Sequence, residues 1–243
     1  MIACQRDEWL SAVTGHSCHS VSGEGDSASV SAALAEAGDG FFFTKRPVNA
    51  VASIKYFTDS GFFLVDTNVT LEMPAVSPVG TVSSGIDVLP ARPADHDAVQ
   101  KIADTSFIYS RFHLDPLFAD ELANRVKREW IRSYCEGRRG DKLFVVEREG
   151  RVVGFLAALT IGVGRIRAAV IDLVAVDATA RAAGMGAALV AGFQTHYHGQ
   201  VDVLRVGTQI ANVASLGLYR RCGFSIKESA YVLHAHYKDG VCL

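Results

Sequence analysis

The stretch Val170-Ile-Asp-Leu-Val-Ala-Val176-Asp-Ala-Thr-Ala-Arg181-Ala-Ala-Gly184-Met-Gly186-Ala-Ala188 decides how this chain is read. A run rich in β-branched residues ends at Val176, two glycines follow in a short loop, and an apolar segment of helical period starts at Met185. The pattern predicts a strand, a tight turn and the opening of a helix. The first N–H groups of a helix lack intrahelical acceptors, and the helix dipole adds positive charge beside them. Such a loop gathers main-chain donors around one small volume, suited to an anion such as a pyrophosphate. An ordinary strand-to-helix turn that happens to contain glycine would look the same. A second motif has to choose between them.

Asn212-Val-Ala-Ser215-Leu-Gly-Leu218-Tyr219-Arg-Arg-Cys-Gly223-Phe224 supplies it. It reads as a helix capped near Asn212, ended by Gly223, with a strand from Phe224. In this order and separation the two motifs resemble the GNAT acetyltransferase superfamily. That family carries Arg/Gln-x-x-Gly-x-Gly/Ala after its fourth strand, then Asn-x(6)-Tyr on the next helix and a Gly-Phe turn. The resemblance implies an α/β (α+β) chain of GNAT fold, a mixed and mostly antiparallel sheet flanked by helices. It also implies an enzyme that uses acetyl-CoA as co-substrate, with no metal. Carried onto this sequence, Arg181, Gly184 and Gly186 would hold the coenzyme pyrophosphate, with Ala182, Ala183, Met185 and Ala187 lending main chain. Leu173, Val174, Ala175 and Val176 would pair with the pantetheine amides, and one of their N–H groups would polarise the thioester carbonyl. Asn212, Ser215 and Leu218 would touch the coenzyme, Leu218 standing where relatives carry a basic residue.

Tyr219 is the expected general acid. A phenol of reference pKa about 10 is protonated at neutral pH, and donation to a thiolate of about 8.5 is only mildly uphill. An aromatic residue that simply packs on a helix face is the alternative. For the general base, Asp172, His113, Asp115 and a water relay all stay open.

Offsetting the chain by 162 positions lays Val51-Ala52-Ser53-Ile54 on Val213-Ala214-Ser215-Leu216, Phe57 on Tyr219, and Gly61-Phe62 on Gly223-Phe224. Residues 1–75 therefore read as a degenerate GNAT-like copy that keeps packing residues but has Ala50 for Asn212 and Phe57 for Tyr219. Chance likeness of two amphipathic helices ending in Gly-Phe is the competing account. Residues 76–85, rich in Pro, Gly, Ser and Val, read as a linker, leaving 86–243 as the catalytic domain. Within it the patterns predict helices over 93–106, 117–136 and 185–197. Strands are predicted at 142–148, 151–159, 168–176 and 202–207, with a last one around 231–237.

Ser110-Arg111-Phe112-His113-Leu114-Asp115-Pro116, with Trp130-Ile131 beyond it, is similar to the TDP-fucosamine acetyltransferases, which also have a degenerate N-terminal half. That likeness implies a dTDP-4-amino-4,6-dideoxy-galactose as acceptor. Arg111, Phe112, His113 and Asp115 would then contact it, the planar fork of Arg111 suiting a phosphate or hydroxyl. A helix-entry loop with Arg111 in solvent and Phe112 in the core is the plainer reading. Another small amine (an amino acid, a polyamine, an antibiotic) and a non-catalytic acyl-CoA-binding module are the alternatives in function.

Composition sets wide bounds. With 243 residues and a formal net charge of -2, the chain has room for a core and no basic field for nucleic acid or membrane. No apolar run approaches the roughly 20 residues that cross a bilayer, and Asp7 and Glu8 beside Trp9 do not read as a signal peptide. Five scattered cysteines favour free thiols in a reducing cytoplasm. The expected partners are small molecules, with homodimerisation left open. His16-x-Cys18-His19 lacks a second ligand pair for a metal, and His234 and His236 share a strand face that could meet an acceptor, a partner subunit or solvent.

Overall fold

The computed structural model describes residues 1–76, 85–181 and 183–243. In chain order the first third forms β1 (Ala3–Arg6), α1 (Glu8–Thr14), β2 (Cys18–Ser22), α2 (Ser27–Ala37), β3 (Gly40–Pro47), α3 (Val51–Asp59) and β4 (Phe63–Pro74). Then come β5 (Val88–Pro90), α4 (His96–Ser106), α5 (Asp120–Cys135), β6 (Lys142–Arg148), β7 (Arg151–Val163) and β8 (Ile166–Val176). The chain finishes with α6 (Met185–Tyr197), β9 (Val203–Gln209), α7 (Val213–Arg221), β10 (Ser225–Lys238) and β11 (Val241–Cys242). This is the GNAT fold, a mostly antiparallel sheet covered by helices on both faces.

Two elements differ from the sequence pattern. The helix expected from Leu117 starts at Asp120, because the Asp115 carboxylate accepts from Leu117 N at 2.9 Å and holds that segment in a turn. The two stretches read as separate strands around 225 and 231–237 form one strand of 14 residues. A bulge at Lys227 and pairing on both sides carry it through its polar middle.

The strands make one sheet in the order β1-β2-β3-β10-β4-β9-β8-β7-β6-β5, with β11 on β10. Strand β10 thus lies between β3 and β4, so the two halves of the chain share a sheet. Their pairing follows the offset of 162 seen in the sequence. Asn68 lies opposite Ala230, which is its own counterpart 162 positions on. The pair Asn68–Gln209 on β4 and β9 maps by the same shift onto Pro47–Ala230 on β3 and β10. Even the bulges correspond, since Val65 and Lys227 are the extra residues on their strands. Helices α3 and α7 span matching residues, and both are followed by a glycine at φ 92°, Gly61 and Gly223, a backbone state that favours glycine. After each glycine a phenylalanine folds back edge-on to the helix aromatic: Phe62 on Phe57 at 5.0 Å, Phe224 on Tyr219 at 6.1 Å.

Two cores flank the catalytic part of the sheet. On one face α6 and α7 cover Ala169, Ile171, Leu204, Val206, Val69 and Leu71. On the other α4 and α5 cover Val145, Phe155, Ala157, Leu173 and Ala175. Three of the four apolar clusters draw on both sides of the 75/86 division: Leu71 and Met73 of β4 belong to the core that also holds Tyr219. All five cysteines are free. Of the sequence's metal-like trio, Cys18 is buried beside Thr14 Oγ1 at 3.3 Å, and His19 stacks on Phe42 at 4.9 Å. No helix among the described residues is long and apolar enough to cross a membrane.

Because β4 is packed into the common core, Leu71→Ala should cost about 2–5 kcal/mol in chemical denaturation. Trp9 and Trp130, in edge contact at 5.8 Å, report the junction of the two halves. Their fluorescence and the far-UV circular dichroism should shift together; movement of only one signal would show that the halves unfold apart.

Candidate active site

Strand β8 pairs with β7 in regular antiparallel register until Leu173 faces Ala157 and Ile171 faces Ala158. Asp172 is the extra residue, a bulge. Before it, Ala169 and Ile171 face the core of α6 and α7, and after it Leu173 and Ala175 face the core of α4 and α5. The bulge therefore turns the strand over. It also ends the parallel pairing with β9, which runs only from Ala168–Val203 to Ile171–Val206. Beyond that point Leu173–Val176 keep β7 on one edge, while their other edge and Gly207–Gln209 of β9 have no pairing with each other. A V-shaped parting between two parallel strands is the result, lined by main chain.

Asp172 is fixed in place by donors from α5 and the turn after it. Its Oδ2 accepts from Trp130 Nε1 at 2.8 Å, Tyr134 OH at 2.7 Å and Arg139 Nε at 2.7 Å, and its Oδ1 accepts from an Arg139 terminal nitrogen at 3.2 Å. Burial and the Asp172 charge push the Tyr134 phenol well above its ordinary range, so it stays a donor. With four donors on it, Asp172 anchors the bulge. Trp130 and Tyr134, one helical turn apart, were readable as a pair on one face, and a lone acid in an apolar strand calls for partners. Sequence reasoning had missed this cluster.

At the parting's mouth sits the glycine loop. Arg181 is exposed, and its Nε donates to Val176 O at 3.3 Å. Gly184 has φ 81° and stands as the N-cap of α6, with no side chain capping the helix and no acid in its first turn. The first intrahelical bond runs from Ala188 N to Gly184 O at 2.9 Å, so Met185, Gly186 and Ala187 precede it with N–H groups that have no acceptor among the described residues. Ala182 lies outside the described residues; Ala183 and Gly184 form the exposed turn. A Cβ placed on Gly186 would stand 3.4 Å from Leu218 Cδ2 and 3.9 Å from Val176 Cγ2, so the loop, the end of β8 and α7 converge. These orphan donors beside an open strand edge fit a pyrophosphate joined to an amide-bearing arm.

Helix α7 closes the other side. Asn212 caps it, its Oδ1 accepting from Ser215 N at 3.2 Å. Tyr219 is buried in the core shared with Val174, Val176 and Leu218. Burial raises its phenol pKa far above the ordinary value, with the neighbouring Cys222 adding to the shift.

The loop before α5 is pinned from below. Phe112 is buried between Phe41 and Phe118, so its ring packs and does not face a ligand. Asp115 is 1% exposed, and its Oδ2 accepts from His234 Nδ1 at 2.7 Å and His236 Nε2 at 2.9 Å. These histidines, read from sequence as facing an acceptor, a subunit or solvent, turn inward to clamp the loop to β10. Burial tends to raise the Asp115 pKa, but the hydrogen bonds from His234 and His236 outweigh it and hold the carboxylate ionised. Burial lowers His234 to about 4 against the pull of Asp115, so it is neutral at pH 7 and donates from Nδ1. His113 is held between Ser110 Oγ at 2.6 Å and Asn124 Oδ1 at 2.9 Å. Arg111 alone of the four keeps its head group free, lying over the Phe43 ring at 3.9 Å and the Phe112 ring at 4.5 Å.

The profile of the Acetyltransferase (GNAT) family matches residues 103–224, half of the chain, and the chain belongs to that family. Proteins of that family are acyltransferases that use acetyl-CoA. Among curated relatives, it is 32% identical over 149 residues to the spore coat polysaccharide biosynthesis protein SpsD of Bacillus subtilis, covering 60% of this chain and 49% of that one. The chain thus spans about half the length of that relative. It is 28% identical over 176 residues to the dTDP-fucosamine acetyltransferase of Escherichia coli, covering 72% of each. A GCN5-related N-acetyltransferase from Sphaerobacter thermophilus shares the fold at TM-score 0.58 and 18% identity, over 89% of this chain and 65% of that one. A tandem GNAT protein from the clavulanic acid biosynthesis pathway does so at 0.55 and 13%, over 86% and 68%.

The buried clamp predicts a pH dependence. His234 binds its proton less readily folded than at its ordinary value of about 6.5, so the unfolded chain takes up more protons between about pH 4 and 6.5. The stability of the native chain relative to His234→Gln should therefore fall as pH drops through that window, by roughly 3 kcal/mol in all. Denaturation curves at pH 7, 5.5 and 4.5 measure it, and a constant difference would show that His234 does not carry the cost.

Proposed function

We propose that this chain moves the acetyl group of acetyl-CoA to the amine of a nucleotide-linked amino sugar, a dTDP-4-amino-4,6-dideoxy-galactose being the leading candidate. The parting of β8 from β9 beside an uncapped helix carries this reading, because it offers an extended main-chain edge and an anion site in continuous reach. The printed names of the two curated relatives support the sugar class.

The coenzyme brings a thioester, activated for attack by an amine. The chain's residues do the rest. Met185, Gly186 and Ala187 offer N–H donors to the pyrophosphate, with Arg181 free to swing onto it. Leu173–Val176 would present strand N–H and C=O groups to the pantetheine arm, and one N–H beside the bulge would meet the carbonyl oxygen where negative charge grows. Asn212 and Ser215 shape the start of α7, which carries Leu218 against the loop and Tyr219 into the wall. The Tyr219 phenol, its pKa raised by burial, stays protonated at any working pH. It therefore serves as a hydrogen-bond donor to the departing sulfur, its full proton transfer being more uphill than for an exposed phenol. Asp172, occupied by four donors, holds geometry instead of taking the amine proton; as the C–N bond forms and the C–S bond breaks, that proton leaves through water and the thiolate regains one the same way. Residues 1–75 act as a structural copy without a coenzyme site: Ala50 caps α3 with no side-chain bond, and Phe57 has no hydroxyl.

Tyr219→Phe should lower kcat by about one to two orders of magnitude while acetyl-CoA still binds. Thiol release measured with a dTDP-amino sugar tests it, and near-normal turnover removes Tyr219 from the chemistry. Gly184→Val forces a β-branched residue to φ 81°, and should weaken acetyl-CoA binding in the folded variant. Unchanged affinity would contradict the loop assignment. Turnover with simple amines but not with amino-sugar nucleotides would overturn the acceptor class.

A further inference from the structure

Three cations from separate parts of the chain gather on the sheet face covered by α5. Arg111 comes from the loop before α5, with its guanidinium stacked over Phe43 and Phe112. Lys127 comes from α5 itself, its Nζ 5.1 Å from the Phe107 ring centre and 4.9 Å from that of Trp130. Lys45 comes from β3, two residues beyond Phe43 and so on the same face of the strand, with part of its side chain in solvent and part packed among its neighbours. Among the described residues none of the three forms an ion pair or donates a side-chain hydrogen bond.

They are nonetheless close enough to oppose one another's charge. Burial, then repulsion from Arg111, lowers both lysines, Lys127 to about 8. Burial brings Arg111 itself to about 10. Carboxylates act on them only from a distance: Asp7 and Asp115 on Arg111, Asp172 on Lys127 and Asp66 on Lys45, none of them in ion-pair contact. Asp172 is bound by Trp130, Tyr134 and Arg139, and Asp115 by His234 and His236. Burial raises Asp66 to about 6, so it still carries its charge at neutral pH, without touching Lys45. Like charges gathered with no carboxylate in contact cost free energy that a polyvalent anion offsets. A planar fork flanked by two flexible ammonium groups matches the bridged oxygens of a diphosphate.

We infer that Lys45, Arg111 and Lys127 form the seat for the diphosphate of a nucleoside-diphosphate acceptor, separate from the coenzyme loop at α6. The inference deepens the acetyl-transfer reading and rests on it for the identity of the ligand as acceptor. It also gives the first third of the chain, through Lys45 and Phe43, a part in binding substrate. The position suits that role. Trp130 lies against Lys127 and donates to Asp172, so the site adjoins the bulge at the mouth of the cleft. A group carried on the diphosphate would reach toward Leu173–Val176.

Calorimetric titration of the full chain with thymidine diphosphate, with coenzyme A at saturation, tests this. Binding should persist with coenzyme A in place and weaken as salt is raised. Lys45→Gln and Arg111→Gln should each lower the affinity for thymidine diphosphate by about tenfold or more, with coenzyme A affinity unchanged. Should Arg111→Gln fail to fold, Lys45→Gln decides. Absence of binding, displacement by coenzyme A, or equal affinity in Lys45→Gln would overturn the site. Failure of the wider reading has a different sign: thymidine diphosphate binds as expected, yet no amine sugar nucleotide releases thiol from acetyl-CoA.

Discussion

One residue too many in a strand governs this structure. Without the extra Asp172, β8 would keep a single face toward each core and go on pairing with β9 beyond Val206. With it, the strand turns over, its far edge loses a neighbour, and a main-chain-lined gap opens. A bulge is ordinarily an easy place for a strand to slip. Here a carboxylate at the bulge accepts four hydrogen bonds from Trp130, Tyr134 and Arg139, two of them from a guanidinium. Charge-assisted bonds of that kind offset the desolvation of the acid and fix the register of the strand. The gap is thus held open from the side opposite the glycine loop, and α5 becomes part of its support.

A second constraint comes from strand exchange between the halves. Each helix-glycine-strand unit sends its last strand to the other half: β4 pairs with β9, and β10 pairs with β3. The strand β9 that forms one wall of the gap therefore leans on β4, and β10 is tied down by the inward-facing His234 and His236 on Asp115. The loop carrying Arg111 is fixed by the same carboxylate. The loop before α5 and the wall of the gap are in this way coupled through β10 and β4.

Much of this was legible from residues alone, for identifiable reasons. The β8–loop–α6 passage was readable because backbone need dictates part of it: a positive φ at Gly184 leaves little choice of residue. The repeat was readable because packing positions such as Phe57 and Tyr219 persist in kind, and the sheet register then repeats their offset. The first 40 residues were not readable, since β1, α1, β2 and α2 are short and close their pairings only with distant partners. The acceptor loop misled for a related reason. Asp115, His234 and His236 look like chemistry in sequence, yet they meet one another across about 120 positions of chain and spend their polarity on that contact. Lys45 and Lys127, unremarkable in a sequence with many charges, acquire meaning only because neither is in contact with a carboxylate.

The account stands or falls on where acetyl-CoA touches the main chain. Hydrogen–deuterium exchange with and without acetyl-CoA, resolved to single amides, measures it directly. Slowed exchange at Leu173–Val176 and at Met185–Ala187 is the predicted result, with the β3 and β4 amides unchanged. Protection confined to other segments, or none at either, would mean that the parted strands and the open helix end are not where the coenzyme is held.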